Sequence, residues 1–334
     1  MPRSAHRRRL LVAPDSFKGT FSAPEVAAAI ARGVRAADCE ATVVPLADGG
    51  EGTADVIYRS LGGDIVHARV DGPLGDPVTA EFVMLPGRAT AVLDSAAASG
   101  LPLVDPRRLD PLGASTAGTG ELIVAAVAAG ASRVCVAAGG SATTDGGVGA
   151  IEVIQASGGL RGASLTVLCD VRTPFEQAAA VFAPQKGASP EQVALLASRM
   201  ESAAKALPRD PRGIPMTGCA GGLSGGLWAT FEAELVPGAE FVFHTVGLAA
   251  HLPLAQAVIS GEGSLDAQSL DGKVVGELAR LCTKAGVPLH AVVGQDGLVA
   301  APARAAGIES VREAQDRDAL EHAGRAIANE LRGQ

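Results

Sequence analysis

Hydrophobic and polar positions at the N-terminal end of the chain predict a strand, a helix and a second strand. The apolar runs at residues 9–13 and 41–46 predict the two strands. The Ala-rich stretch between them predicts a helix that ends near Ala37. Ser22 and Glu25 have the spacing of a capping box, which indicates where this helix begins.

The C-terminal end repeats this order of elements. Apolar runs at residues 257–260 and 289–293 predict strands, and amphipathic stretches at 275–285 and 317–331 predict helices. In open parallel sheets, ligands bind beyond the carboxyl ends of the strands. We therefore expect the chemistry in the loops that follow these strands.

The middle of the chain has a different pattern. Residues 65–95 alternate apolar and polar positions between Pro and Gly residues, which predicts shorter, partly antiparallel strands. Residues 119–129 then predict a helix, and residues 133–138 predict a buried strand. The Pro-rich segment 207–215 is the candidate for a flexible connection.

The matching patterns at the two ends predict an α/β fold class with two domains. A chain of 334 residues is long enough for about two domains. We expect residues 1–66 and 255–334 to form one α/β domain, with residues 67–254 inserted into it as a mixed-sheet α/β domain.

Composition and charge exclude two classes of partner. Asp and Glu number 36 against 28 Lys and Arg, so the net charge of -8 provides no basic surface for a nucleic acid. Aromatic residues make up only 3% of the chain, which leaves few side chains on which bases could stack. The longest apolar stretch, residues 122–131, is about half of the roughly 20 residues that a membrane-spanning helix needs.

The start of the chain and its cysteines indicate a compartment. The Arg-rich start has too short an apolar run for a signal peptide and predicts a solvated tail before the first strand. The five Cys residues are widely spaced and form no C-x-x-C pair, which is typical of reduced thiols. We therefore expect a soluble, cytoplasmic protein.

Glycine is abundant and clusters at the ends of predicted strands. Residues 48–53, 139–147 and 261–263 each combine glycines with a carboxylate. Glycine-rich turns present backbone N–H groups to a phosphate, and a nearby carboxylate can bind Mg²⁺. The alternative is that each cluster is an ordinary turn in a chain with 42 glycines. Three clusters in the same position favour phosphate binding.

The lysines point to the same chemistry. The chain has five Lys residues, and three of them, Lys18, Lys186 and Lys273, are next to a glycine. A Lys ammonium suits a phosphate or a substrate carboxylate. The chain has no P-loop motif. The G-x-G-x-x-G fingerprint is also missing, which disfavours a nucleotide- or flavin-dependent oxidoreductase.

Several segments, in order over residues 10–295, resemble the bacterial glycerate kinase family that forms 2-phosphoglycerate. The segments are APDSFKGTFSA (13–23), PLADGGEGT (45–53), AAASGL (96–101), GTGELI (118–123), GGSAT (139–143) with DGG (145–147), PQKGA (184–188), and GEG (261–263) with DAQ (266–268) and GK (272–273). The resemblance implies transfer of the γ-phosphoryl group of ATP, with Mg²⁺, to the 2-hydroxyl of D-glycerate. It also implies two α/β domains, one of them flavodoxin-like with helices on both faces of a parallel sheet, and an active site in the cleft between them. A homodimer is left open.

The chain departs from the family pattern after Val171. Residues 172–178 are shorter than the usual loop and lack its two glycines. Two alternatives therefore stay open. One is a kinase of the same family that acts on a related small hydroxy acid. The other is a sensor that binds a hydroxy acid or a nucleotide without turnover.

The resemblance and the residue chemistry together suggest a role for each candidate residue. Lys18 would neutralise the transferring phosphoryl group or the acceptor carboxylate, and Asp48 and Glu51 would hold Mg²⁺ or accept the hydroxyl proton. The predicted catalytic residues are Lys18, Asp48, Asp145 and Lys186. The predicted Mg²⁺ ligands are Asp48, Glu51 and Asp145. The predicted substrate-binding residues are Asp15, Ser16, Glu51, Ser99, Glu262, Asp266 and Lys273. The predicted phosphate-binding residues are Gly139, Gly140, Ser141, Thr143, Gly146 and Gly147.

Overall fold

The structure, a computed structural model, describes most of the chain. The described residues are 8–266, 268–270, 272–298 and 300–333. The predicted tail at residues 1–7 lies outside the described residues, and so does Ala267 of the DAQ motif.

The chain contains eleven strands and thirteen α-helices in its described part. The strands are β1 (Arg9–Val12), β2 (Glu40–Val43), β3 (Asp64–Asp71), β4 (Pro77–Met84), β5 (Thr90–Asp94), β6 (Arg133–Ala138), β7 (Ser164–Cys169), β8 (Glu234–Pro237), β9 (Ala257–Leu265), β10 (Leu289–Asp296) and β11 (Ile308–Glu313). The helices are α1 (Ala23–Ala36), α2 (Thr53–Leu61), α3 (Ala96–Ser99), α4 (Ala117–Ala128), α5 (Val148–Ala156), α6 (Ala178–Phe182), α7 (Pro190–Ala206), α8 (Cys219–Phe231), α9 (Gly238–Thr245), α10 (Leu248–His251), α11 (Val274–Ala285), α12 (Ala300–Ala305) and α13 (Arg317–Gly333).

The elements divide into two compact units. Unit 1 consists of Met1–Asp48 and Val242–Gln334, and unit 2 consists of Gly49–Phe241. These limits lie earlier in the chain than the predicted ones, which follow residues 66 and 254. The first limit differs because α2 packs against β4 and β5 of unit 2.

Unit 1 is built on a five-stranded parallel sheet with the order β2-β1-β9-β10-β11. Numbered within the unit, this order is 2-1-3-4-5, which is the order of flavodoxin-like sheets. One face of the sheet packs against α1 and α13 through Leu10, Val12 and Ile259. Helix α11 contacts β9 and β10 from the other face. Val258 of β9 belongs to that face, because successive residues of a strand point to opposite faces of the sheet. The predicted flavodoxin-like sheet with helices on both faces is confirmed.

Unit 1 also corrects one local prediction. The strand expected at residues 257–260 continues to Leu265, so Gly261–Gly263 is part of β9 and not a turn. A Cβ at Gly261 would lie 2.0 Å from the carbonyl oxygen of Val292 on β10. The glycine therefore allows close approach of a neighbouring strand, a use that glycine has in strands as well as in turns.

Unit 2 is built on a six-stranded mixed sheet with the order β3-β4-β5-β6-β7-β8. The pairs of β4 with β3 and with β5 are antiparallel, and the remaining pairs are parallel. The predicted mixed sheet is confirmed. The segment 207–215 lies inside this unit, between α7 and α8, where Arg212 forms 2.6 Å ion pairs with Asp210 and Glu201. It therefore does not join the two units.

Two further observations concern the whole described chain. None of the helices among the described residues has the length and apolar character needed to span a membrane. All five cysteines are buried and unpaired.

Candidate active site

A cavity of about 660 Å³ lies at the carboxyl ends of the unit 1 strands. It is next to β1 and β9, where the strand order of a flavodoxin-like sheet changes direction and ligands commonly bind. Seven residues predicted from the sequence line this cavity: Asp15, Ser16, Lys18, Asp48, Glu262, Asp266 and Lys273. The structure thus brings together residues that are far apart in the chain.

A tight turn after β1 positions Lys18. The N–H of Phe17 donates to the carbonyl of Phe21 at 2.8 Å, and Gly19 takes φ 79°, a conformation that favours glycine. Phe17 is buried and anchors the turn. Lys18 Nζ lies 3.4 Å from Asp48 Oδ2, with the Lys18 side chain 56% exposed and that of Asp48 only 3% exposed. The ammonium group is therefore accessible to a ligand, whereas the carboxylate is fixed in the wall.

Burial shifts the proton affinity of two carboxyl groups in this cavity. Burial and then the charge of Asp48 raise the pKa of Asp15 well above its usual value, although Lys18 opposes the shift. Burial also raises the pKa of Glu262 to about 7, against the opposing effect of Lys273. Glu262 can therefore hold a proton near neutral pH, and Asp15 keeps its proton to a higher pH than an ordinary aspartic acid does. The cavity is consequently less negative than its number of carboxyl groups indicates, which allows an anionic ligand to bind.

A second, smaller cavity of about 60 Å³ lies in unit 2 at the carboxyl ends of β6 and β7. Gly139, Gly140, Ser141 and Lys186, all predicted from the sequence, line it together with Asp170. Lys186 is 3% exposed, and its Nζ donates to Ser141 Oγ at 3.1 Å and to the Thr143 carbonyl at 2.5 Å. Burial lowers the pKa of Lys186 to about 8, while Asp145 and Asp170 act in the opposite direction.

The loop that carries Glu51 lies against the same glycines. A Cβ at Gly140 would lie 3.0 Å from Glu51 Oε2, so the glycine makes room for this carboxylate. Asp94, at the end of β5, accepts hydrogen bonds from the N–H groups of Gly52 at 2.7 Å and Ala54 at 3.0 Å. Asp94 therefore fixes the backbone that follows Glu51 and the start of α2.

Comparison with known proteins identifies the family. The glycerate kinase family model matches residues 10–158 and 150–332. The chain belongs to the glycerate kinase family. It is similar to Glycerate 2-kinase of Escherichia coli (strain K12), with 37% identity over 323 residues that cover 86% of this chain and 85% of that protein. It is also similar to Glycerate kinase of Bacillus subtilis (strain 168), with 38% identity and the same coverage of both chains.

A solved structure supports the same assignment at the level of the fold. The structure of a candidate glycerate kinase 2 from Salmonella typhimurium LT2 matches with a TM-score of 0.80 and 33% identity. The match covers 98% of this chain and 99% of that one. The family and fold expected from the sequence are therefore confirmed.

Several other predicted site residues do not line either cavity of this family member. Both oxygens of the Asp145 carboxylate accept hydrogen bonds, from Thr116 N and Oγ1 at 2.9 and 2.8 Å and from Gly147 N at 3.1 Å. Ser99 Oγ shares a 2.7 Å hydrogen bond with Thr119 Oγ1. Asp145 therefore connects the start of α4 to the start of α5, and Ser99 connects α3 to α4.

The glycines of the predicted phosphate loop also divide into two groups. Gly139 and Gly140 line the small cavity, whereas a Cβ at Gly146 would lie 2.9 Å from the Phe175 ring and one at Gly147 would lie 3.1 Å from Leu223. Gly146 and Gly147 therefore allow close packing of the core. The sequence shows the same glycine pattern for both uses and does not separate them.

Asp94 and Asp170 are not among the site residues predicted from the sequence. Each lies at or directly after the end of a buried strand, β5 or β7. An acidic residue in this position is the signal that could have indicated them.

Carboxylates of the unit 1 cavity fit Mg²⁺ in their chemistry. In the described part of the chain, no three His, Cys, Asp or Glu side chains form a group that could hold a metal ion by themselves. Of the predicted ligands, Asp48 belongs to unit 1, and Glu51 and Asp145 belong to unit 2. Mg²⁺ in kinases is typically bound by one or two carboxylates together with phosphates of the substrate. Asp48 and Asp266 are carboxylates of this kind, and both line the cavity.

Proposed function

We propose that this protein is a kinase that transfers the γ-phosphoryl group of ATP to the 2-hydroxyl of D-glycerate and forms 2-phosphoglycerate. Membership of the glycerate kinase family supports the reaction class. The observation that carries the proposal is the unit 1 cavity, where Lys18 and Lys273 lie among carboxylates at the ends of parallel strands. We further propose that the enzyme acts in the cytoplasm, where its unpaired cysteines would stay reduced.

The unit 1 cavity is proposed as the nucleotide site. Its volume of about 660 Å³ is within the range of cavities that bind ligands the size of a nucleotide. Lys18 and Lys273 would neutralise phosphate oxygens. Asp48 and Asp266 would hold Mg²⁺, which supplies further neutralisation of the phosphoryl oxygens when it is bound.

The transfer needs little activation of the acceptor hydroxyl. The acceptor oxygen forms a new bond to the γ-phosphorus while the bond from that phosphorus to the β–γ bridging oxygen breaks, which leaves ADP. Glu51 would accept the hydroxyl proton. Because the transition state is loose, proton transfer can occur late, and positioning with charge neutralisation supplies most of the rate.

An ATP-consumption assay with a panel of small hydroxy acids tests this proposal. We expect D-glycerate to give the highest kcat/KM, with slower or no turnover of L-glycerate, D-lactate and glycolate. Lys18→Ala and Asp48→Asn should each lower kcat by about 100-fold or more, since each removes charge that acts on the phosphoryl group. Lys284→Ala, at an exposed position of α11, is the matched control and should keep the wild-type kcat.

Three results would contradict the proposal in different ways. Near wild-type kcat in both variants would remove Lys18 and Asp48 from the mechanism. Preference for another acid would favour the alternative kinase of the same family. Binding of D-glycerate or ATP with no turnover of any acid would favour a sensor.

A further inference from the structure

Lys186 is a buried cation with an incomplete set of partners. Its two hydrogen bonds go to neutral oxygens, the Ser141 hydroxyl and the Thr143 carbonyl. In the described part of the chain, no carboxylate forms an ion pair with it. A buried ammonium without a counter-ion is unfavourable, because the energy lost by removing it from water is not recovered.

The carboxylates near Lys186 do not supply this counter-ion. The oxygens of Asp145 accept hydrogen bonds from Thr116 and Gly147, which direct them to the starts of α4 and α5. Asp170 lines the same cavity as Lys186, and the charges of Asp145 and Asp170 both raise its pKa, but neither carboxylate forms an ion pair with the ammonium group. The remaining hydrogen-bonding capacity of the ammonium group is therefore suited to an anionic ligand.

The size of the cavity limits which anion can bind. A cavity needs roughly 10–15 Å³ by the same measure to hold one water molecule. The unit 2 cavity of about 60 Å³ therefore has room for about four to six molecules of that size. This room fits a three-carbon hydroxy acid, whereas a nucleoside triphosphate is much too large.

We propose that Lys186 binds the carboxylate of the acceptor in the unit 2 cavity, with the Ser141 hydroxyl as a second donor. The inference rests on the proposed function and adds the binding group that selects an acid over a neutral alcohol. Selection follows because a neutral acceptor would leave the buried ammonium without its counter-ion.

The test compares a charged acceptor with a neutral one in matched variants. KM is measured for D-glycerate, for its neutral methyl ester and for ATP in the wild type, Lys186→Met and Lys205→Met. Lys205 lies exposed on α7 and serves as the control, since its ion pair with Glu201 is at the surface. Thermal unfolding of each variant shows whether it is folded.

We expect Lys186→Met to raise the KM for D-glycerate by about 100-fold, as typically results from removing one partner of a buried charge pair. The KM values for ATP and for the ester should stay within about threefold of wild type. Lys186→Arg should restore part of the lost affinity because it keeps the charge. Lys205→Met should change none of the three values.

Two results would overturn the inference. One is an unchanged KM for D-glycerate in a folded Lys186→Met, and the other is a raised KM for ATP alone, which would assign the cation to a phosphate. If Lys186→Met does not fold, the wild type decides the question. It should prefer D-glycerate over the ester by about 100-fold in KM, and equal values would overturn the inference.

Failure of the proposed function gives a different result. If the wild type consumes no ATP with D-glycerate, the proposed function is contradicted, and calorimetry without ATP still tests Lys186. Binding of D-glycerate but not of its ester by the wild type and by Lys205→Met, lost in a folded Lys186→Met, would then support the role of Lys186. Equal binding of both compounds would contradict it.

Discussion

At the scale of single residues, burial decides which carboxyl groups of the site can hold protons. Glu262 and Asp94 are both strand residues, and burial raises the pKa of each to about 7. Glu262 Oε1 is buried and makes no hydrogen bond. The sequence shows that acidic residues are present, but their burial depends on contacts between distant segments and is not visible in it.

Glu262→Gln should increase stability, and only at high pH. The pKa of Glu262 in the folded protein, about 7, exceeds its ordinary value of 4.5. The folded state therefore binds this proton more tightly than the unfolded state does, and stability falls as pH rises from about 4.5 to 7. At pH 8 the substitution should recover at most about 3 kcal/mol, seen as a higher Tm, whereas at pH 4.5 it should change Tm little.

Thermal unfolding at the two pH values measures this difference. Glu240→Gln, at an exposed position of α9, is the control and should behave like wild type at both. A gain in Tm that is the same at pH 4.5 and pH 8 would show that the effect is not linked to the Glu262 proton.

At the scale of elements, two glycines let α1 and α13 pack with their backbones in contact. A Cβ at Gly33 would lie 1.9 Å from the Glu321 carbonyl oxygen, and one at Gly324 would lie 2.3 Å from that of Ile30. The close approach of the two helices covers one face of the unit 1 sheet. It also explains why glycine occurs inside helices that would otherwise favour alanine.

Gly33→Ala should destabilise the protein although alanine is the better helix former. The gain in helix propensity is about 1 kcal/mol, but the two helices would have to move apart, which costs about 1–3 kcal/mol in a packed core. We expect a lower Tm for Gly33→Ala. Gly333→Ala is the control, because a Cβ there meets nothing within 4 Å, and it should leave Tm unchanged or slightly raised. A Tm of Gly33→Ala at or above wild type would contradict the packing account.

The helices and strands that were predicted followed from local patterns, and the error at Gly261 has a physical cause. The strand at residues 133–138 and the helix after Ser22 were predicted closely because period and capping are local properties. The use of Gly261 inside β9 was not predicted, since it depends on the approach of Val292 from another strand.

At the scale of the whole molecule, the sequence predicted the two-sheet α/β architecture and seven of the residues that line the unit 1 cavity. Lys18, Asp48 and Glu262 were recognisable because each lies near the end of a predicted strand, in a motif shared with the family. Asp94 and Asp170 were not, because their motifs are weak and their positions depend on tertiary contacts.

Phosphorus NMR of the reaction product tests the central claim most directly. Wild-type protein is incubated with ATP, Mg²⁺ and D-glycerate, and the new phosphomonoester signal is recorded without proton decoupling. Transfer to the 2-hydroxyl predicts a doublet, because the phosphorus couples to the single proton on C2. A triplet from phosphate on C3, or no new phosphomonoester at all, would contradict the proposed reaction.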